Sequence, residues 1–584
     1  THGSGSPQPP AATPERSDGL PVLQWFEHRI AAELRLWDAI DQHRLVPFAY
    51  YGIHDGLDLR DIPWKRGTGY DVEGLTNVLT ANDAWARGVL TQLLTRVDDA
   101  SRMRALGFCV SVQHARFMER VFRDAGVAAT AIWASTPAAE RVAALRDLAG
   151  RRINVLFSVD LFNEGVDIPQ VDTVLFLRPT DSPTLFLQQL GRGLRRSPEK
   201  TVCTVLDFVG HHRQEFRFDR RFRALLGGSR KDLERQVEDG FPFLPAGCHM
   251  ELDRVATSLV LANLKAAVPS RWDEKVQELR AIAKKGAEVT LAHFLEESGL
   301  ELEDLYTGDR TWSDLRADAG LAVQAAGAHE ASMRRALARM LHVDDLVRID
   351  GFRTFLNAAN APDPAVLPER QRRLLRMLIG SAMGQVLKKG VTLGEAAQLF
   401  WQHPQMRAEL LDLLDVLADR IDHLQQPLAL PDVPLQVHAR YSRVEILAAF
   451  GVGNEAKVAP WQTGVYWAKE ARADLLAFTL DKTSGQFSPT TRYRDHAISR
   501  DLMHGESQGV TRAGGETGMR YQRHEALGSS IMLFARLRSD DRAFWFLGPA
   551  TYLRHESEMP MAITWRLHVP LPGDLFAQFA AAVA

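Results

Sequence analysis

Gln188-Gln-Leu-Gly-Arg-Gly-Leu-Arg195 sets an amide and two guanidiniums at spacings of four and three, which places Gln188, Arg192 and Arg195 on one face of a helix. Guanidinium is permanently charged, planar and bidentate, so such a pair is suited to charge that builds up on a phosphoryl group in transfer. Gln188, one turn earlier, suits the orienting of an attacking water or a phosphate oxygen, and Gly191 leaves room for a nucleotide. An ordinary basic helix start is the competing reading. Upstream, Val159-Asp-Leu-Phe-Asn-Glu-Gly-Val-Asp167 adds Gly165, where backbone can approach a ligand, and Asp167, which can accept from a ribose hydroxyl or from the arginines.

Those residues need a sheet to hold them, and apolar runs supply one. Val46–Ile53, Gly107–Val112, Ala128–Trp133, Asn154–Ser158, Thr173–Leu177 and Val202–Phe208 read as strands, alternating with helices such as the one from His114 to Ala125. This predicts an α/β domain over residues 46–230. Ser111, Gln113 and His114 follow a strand at the carboxyl edge where open sheets bind ligands, and are candidate phosphate contacts, with His114 equally readable as a helix cap. The Arg178–Ser182 stretch has the same two readings. From Arg192 to Lys231 runs a basic series, Arg195, Arg196, Lys200, Arg213, Arg217, Arg220, Arg221, Arg223 and Arg230. It is either a nucleic-acid track, with Arg217, Arg220 and Arg221 as phosphate contacts, or a solvated helix face.

Residues 1–10 are rich in Gly, Ser and Pro and are expected to be disordered. Helical periodicity over Leu252–Ala266, Trp272–Lys285, Met333–Leu341 and Pro368–Leu387 predicts a helical middle region, 231–425. Val289–Tyr306 reads as two short helices about Gly299; acids at Glu301, Glu303 and Asp304 favour packing over DNA reading there. Pro427, Pro431 and Pro434 suggest an extended linker at 426–440. Beyond it, Leu475–Leu480, Ser530–Leu537, Phe544–Leu547 and Ile563–Val569 predict a β-rich, barrel-like domain over 441–584.

The 584 residues are 45% hydrophobic and 24% charged, with a formal net charge of -3, which excludes wholesale coating of nucleic acid but not a local basic track. Three dispersed cysteines, Cys109, Cys203 and Cys248, support neither a disulfide framework nor a metal site, so a reducing, cytoplasmic setting is expected. No apolar run of ~18 residues spans a membrane. No Gly-x-x-x-x-Gly-Lys-Ser/Thr loop occurs, and Asp273-Glu274-Lys275 follows no apolar strand.

The two opening stretches resemble motifs V and VI of superfamily 2 helicases, which form half of an ATP site between two RecA-like domains. Ala12-Thr-Pro-Glu-Arg-Ser-Asp-Gly19 resembles motif III, so 11–45 is expected to be the remnant of a first RecA-like domain and 46–230 the second, with the chain beginning inside a longer motor. Taken with Phe108–Ala115, Phe241–His249, Trp461–Trp467, Phe487–Asp495, Glu506–Gln508 and Phe544–Gly548, the chain resembles a bacterial restriction-helicase family with a carboxyl-terminal domain of unknown function. Family members that are similar to type IV restriction enzymes cut DNA bearing methylated cytosine, and some carry a phospholipase-D-like nuclease whose His-x-Lys motif is absent here.

The resemblance implies ATP and Mg as cofactors once the first RecA-like domain is supplied, DNA as partner, and a nuclease domain or subunit. It departs at Val159, where many members have Thr touching the nucleic-acid backbone; Ser158, Asn163 or backbone amides would take over that contact. For the carboxyl domain it implies a base reader, in which Trp461, Tyr493 and Tyr521 stack, Asp495, Ser507 and Gln508 hydrogen-bond, and His524 holds phosphate. The same aromatics also read as core with arginines around them. The rival class is a non-catalytic DNA-binding adaptor that keeps a degenerate helicase half as scaffold.

Overall fold

The computed structural model describes residues 36–65, 69–81, 83–159, 168–180, 182–213, 216–227, 230–242, 244–266, 271–284, 289–384, 386–421, 425–461, 463–480 and 495–581. The motif III stretch, Asn163, Gly165, Asp167 and Tyr493 lie outside them. The chain divides into two compact units, Thr1–Ala267 and Val268–Ala584.

In the first unit, the helix α1 (Leu36–Asp41) precedes β1 (Phe48–Asp58), and a small hairpin, β2 (Trp64–Lys65) and β3 (Gly69–Tyr70), follows. Then come α2 (Val72–Thr80), α3 (Asp83–Arg96), β4 (Ala105–Phe108), α4 (Val112–Asp124), β5 (Ala129–Trp133), α5 (Ala138–Ala149), β6 (Val155–Val159) and β7 (Thr173–Phe176). The unit closes with α6 (Pro183–Leu194), β8 (Cys203–His211), α7 (Phe218–Leu226), α8 (Arg230–Glu238), β9 (His249–Leu252) and α9 (Arg254–Ala266). Seven strands form one sheet in the order β5-β6-β4-β7-β8-β1-β9, and every pairing is parallel. Strands buried on both faces read as near-continuous apolar runs, which is why six of them are visible in the sequence. The seventh, His249–Leu252, buries only Met250 fully, so its pattern carries no such signal. Trp37 of α1 stacks on Phe48 at 5.8 Å, and with Ile40 it joins α1 to the core of this unit.

Among the described residues the second unit begins with nine helices: α10 (Trp272–Ala283), α11 (Leu291–Ser298), α12 (Leu302–Leu305), α13 (Trp312–Ala319), α14 (Glu330–Leu337), α15 (Leu346–Leu356), α16 (Glu369–Met383), α17 (Leu393–Trp401) and α18 (Pro404–Asp419). Gly299 ends α11 at φ 74°, a left-handed cap that glycine adopts without strain. A two-strand ladder, β10 (Gln426–Pro427) with β11 (Gln436–Val437), leads to β12 (Arg440–Ser442) and α19 (Arg443–Ala449). Seven more strands follow: β13 (Val465–Ala468), β14 (Ala473–Thr479), β15 (His496–Ser499), β16 (Leu502–Glu506), β17 (Ser530–Arg536), β18 (Ala543–Glu556) and β19 (Ala562–Leu567). They run β13-β14-β17-β18-β19-β16-β15, with β12 on β18, and β13 and β15 end the order unpaired with each other among the described residues. The expected barrel is therefore an open, mixed sheet whose β14–β17 pairing is parallel.

Helices and sheet of this unit share one core: Phe294, Leu378 and Leu413 belong to the same cluster as Tyr441, Leu475, Phe534 and Phe546. The proline-rich stretch expected to be an extended linker buries Leu428, Val433 and Leu435 in that core. Burial overrides the proline signal because apolar residues lie between the prolines. A charged knot joins the same parts: Arg348 of α15 donates to Glu445 of α19 at 2.7 Å and lies over Tyr441, and His342 meets Glu445 at 2.6 Å. No helix among the described residues is long and apolar enough to cross a membrane.

Candidate functional site

Helix α6 owes its position to its ends and to one buried stripe. Ser182 caps it by accepting the Leu185 amide at 3.3 Å, with Pro183 pre-set at the first turn. Phe186, Gln189, Leu190, Gly193 and Leu194 are buried against the sheet. A methyl group at Gly193 would stand 2.5 Å from Cys203 Sγ and 2.7 Å from Val174, so glycine is what lets α6 lie on β7 and β8. At Gly191 a methyl group would meet nothing within 4 Å. Packing does not demand that second glycine, and the space beside it lies on the helix that carries half-buried Gln188 and Arg192.

The expected shared helix face for Arg192 and Arg195 needs correction. The helix ends at Leu194, and Arg195 is its cap residue with extended backbone, φ -63° and ψ 141°. Leu45 forms an antiparallel bridge with Arg195, and the Val46 amide donates to the Leu194 carbonyl at 2.8 Å. Arg196 reaches the His43 carbonyl at 2.6 Å. Segment 43–46 thus fixes the direction of the chain at Arg195, a role the sequence did not reveal because the pairing spans the whole domain.

Arg221 is no phosphate contact. Its side chain is buried, paired with Asp207, hydrogen-bonded to Tyr50 and the Thr180 carbonyl, and stacked over Phe186. Burial opposes its charge, but the Asp207 carboxylate more than offsets this and holds the guanidinium above its ordinary pKa. Burial, reinforced by Asp207, also lifts Tyr50 well above the usual phenol range. The cluster braces the Thr180 turn that leads into α6. Arg217 is spent on Asp219, at 2.7 and 2.6 Å, whereas Arg220 is exposed. Of the three proposed track residues, only Arg220 is exposed.

At the carboxyl end of β4, Ser111 caps α4 by accepting the His114 amide and itself receives the Thr76 hydroxyl at 2.8 Å. Gln113 is exposed. His114 is fully buried, beside Trp85, and its Nδ1 accepts the Val110 amide at 3.4 Å. Burial lowers its pKa to about 3. Buried and neutral, His114 does not meet phosphate; its Nδ1 instead accepts the amide just ahead of the helix start, in keeping with the capping reading.

In the carboxyl-terminal sheet the reader candidates divide differently. Trp461 is buried against Tyr466 and Arg443, Tyr521 is buried edge-on to Trp565 at 6.0 Å, and His524 is buried with Nε2 accepting the Tyr552 amide. None of these three is exposed for stacking or phosphate binding in this structure. Asp495 accepts the Glu506 amide at 2.9 Å, and Ser507 Oγ accepts the Met561 amide at 2.9 Å. Gln508 is half-exposed. Phe478, Ser507, Tyr521 and Trp565 line a cavity of about 10 Å³, room for one water and too little for a base. Among the described residues no group of three or more His, Cys, Asp or Glu is placed to hold a metal.

Residues 73–197 match the helicase conserved C-terminal domain, and 435–579 match a domain of unknown function, DUF3427. A 51.5 kDa protein of a Lactococcus phage is 29% identical over 202 residues, covering 34% of this chain and 43% of that one. The Saccharomyces cerevisiae protein named putative ATP-dependent helicase IRC3 is 27% identical over 205 residues, covering 34% and 29%. The Escherichia coli type I restriction enzyme EcoKI endonuclease subunit is 31% identical over 146 residues, covering 22% and 12%. The chain thus spans less than half the length of each of these relatives. These matches show a helicase-type C-terminal domain within the first unit, whose parallel α/β sheet is RecA-like.

Proposed function

We propose that this chain supplies the second RecA-like half of an ATP-dependent DNA translocase acting in restriction or phage defence, with a carboxyl-terminal domain that recognises DNA. Arg192 and Arg195 would face the γ-phosphate and Gln188 would orient the attacking water, while Gly165, Asp167 and Gly191 would border the nucleotide. The observation that carries the reading is the end of α6, where backbone pairing to Leu45 fixes Arg195 and a glycine without a packing reason leaves space beside Arg192. ATP and Mg would be held mainly by a phosphate loop, which these 584 residues do not contain. The chain's own part is to place guanidinium charge and an amide against the transferring group.

DNA would be contacted at Ser111, Gln113, Asn163 and Arg220, and the carboxyl domain would read a modified cytosine through Tyr493 and Gln508, Asp495 and Ser507 being buried and bonded to backbone amides, with a nuclease supplied in cis or by a partner. Kinship with a type I restriction subunit supports the defence setting.

The test is DNA-stimulated ATP hydrolysis by the chain alone and after addition of a first RecA-like domain. Turnover is expected only in the second case. Robust hydrolysis by the chain alone would overturn the half-site reading.

A further inference from the structure

Lys200 belongs by sequence to the basic run, yet it is only 8% exposed. Its ammonium donates to three carbonyls, Pro169 at 2.9 Å, Val171 at 2.7 Å and Gly193 at 3.0 Å. An ammonium has three protons and no acceptor, so this one is fully committed and has nothing left for phosphate. Gly193 O lies in the last turn of α6, where carbonyls lack helical partners and positive charge is favoured. Pro169 and Val171 lie on the segment that leads into β7, a few residues past Asp167 in sequence. One side chain therefore ties the segment leading into β7 to the helix end two residues before Arg195.

A buried ammonium is a costly way to fill space, and an apolar side chain would satisfy none of the three carbonyls. Its neighbours are Cys203 from β8, Asp172 from the turn before β7 and Arg195 from the end of α6. Burial pushes its pKa down to about 8, so the tie keeps its full charge near neutrality and loses it in mild alkali.

We propose that Lys200 is a positioning residue for ATP hydrolysis, its ammonium locking the end of α6, and with it Arg195, to the Pro169–Val171 segment that leads into β7. This rests on Arg192 and Arg195 being the γ-phosphate-facing pair. Two measurements separate the inference from that premise. In the full chain, hydrogen exchange at residues 168–172 and 192–196 should quicken about tenfold in Lys200→Met, with Lys200→Arg close to wild type. Unchanged exchange in Lys200→Met overturns the tie whatever the chain does with ATP.

With the first RecA-like domain supplied, Lys200→Met should lower kcat about tenfold or more while KM for ATP stays within about twofold, and Lys200→Arg should recover most of the loss. Wild-type turnover should also fall as pH rises past about 8, and Lys200→Arg should resist that fall. Should Lys200→Met not fold, the alkaline comparison decides, and identical profiles for wild type and Lys200→Arg overturn the proposal. Hydrolysis indifferent to Arg195 overturns the functional premise, while the exchange result still decides the tie.

Discussion

The end of α6 and the aromatic cluster of the carboxyl-terminal sheet hold similar chemistry in sequence, arginines and amides among apolar residues, and are built in opposite ways. At α6 the backbone is pinned, by the Leu45 bridge and by Lys200, while Gln188, Arg192 and Arg195 remain half-exposed. In the sheet the side chains themselves are pinned. Tyr521, Trp461 and His524 are buried, and Arg520 is held bidentate by Asp474 at 2.8 Å beneath Trp467. A pinned backbone that leaves polar side chains partly exposed can present them to a ligand, whereas side chains packed into a core cannot reach one.

The largest expected effect concerns where the sheet ends as a folding unit. Residues 436–584 expressed alone lose the helices whose side chains complete their core, and should be aggregated or without a cooperative melt. Residues 271–584 should melt cooperatively. A cooperative transition in the shorter fragment, followed by circular dichroism, would separate the sheet from the helices after all.

Next in size is the Arg221 pair. Arg221→Ala leaves Asp207 buried without its partner and should destabilise the first unit by about 3–5 kcal/mol, whereas Arg220→Ala should change stability by no more than about 0.5 kcal/mol. Denaturant melts check both. Equal, small effects would return Arg221 to the DNA track.

A smaller effect follows pH. His114 is buried with its pKa lowered to about 3 from the ordinary 6.5, and His212 behaves alike. Between those values the unfolded chain binds the proton and the folded chain does not. Stability of the first unit should therefore fall as pH drops from about 6.5 toward 3, and His114→Leu should flatten part of that slope. Thermal melts across the range measure it, and an unchanged slope in the variant would mean that His114 titrates normally.

Smallest is Tyr521→Phe. The Tyr521 hydroxyl is buried and lacks a hydrogen-bond partner among the described residues, so its removal should leave the melting midpoint unchanged or slightly higher. A clear loss of stability would show a hidden partner for that oxygen.

These contrasts also mark what the sequence could say. Six strands of the first sheet were legible because burial on both faces makes continuous apolar runs, and the later part of α6 because the spacing of Gln188 and Arg192 reads as helix. Arg221 was misread because its partners, Asp207 and Tyr50, lie 14 and 171 residues away, and no local pattern separates a buried arginine from an exposed neighbour. Lys200 was hidden for the same reason, being one basic residue in a run. The end of α6 at Leu194 was hidden too, since Arg195 leaves the helix to pair with Leu45, a tertiary contact that overrides a good helix former.

The central claim is that the chain at the end of α6 delivers Arg195 to a transferring phosphoryl group, and one measurement addresses it directly. With the first RecA-like domain supplied, DNA-stimulated ATP turnover is compared for wild type and Arg195→Ala, with DNA affinity measured alongside. An arginine acting on the transition state should cost roughly 10³-fold or more in kcat and leave DNA binding intact. Undiminished turnover in Arg195→Ala would contradict the account.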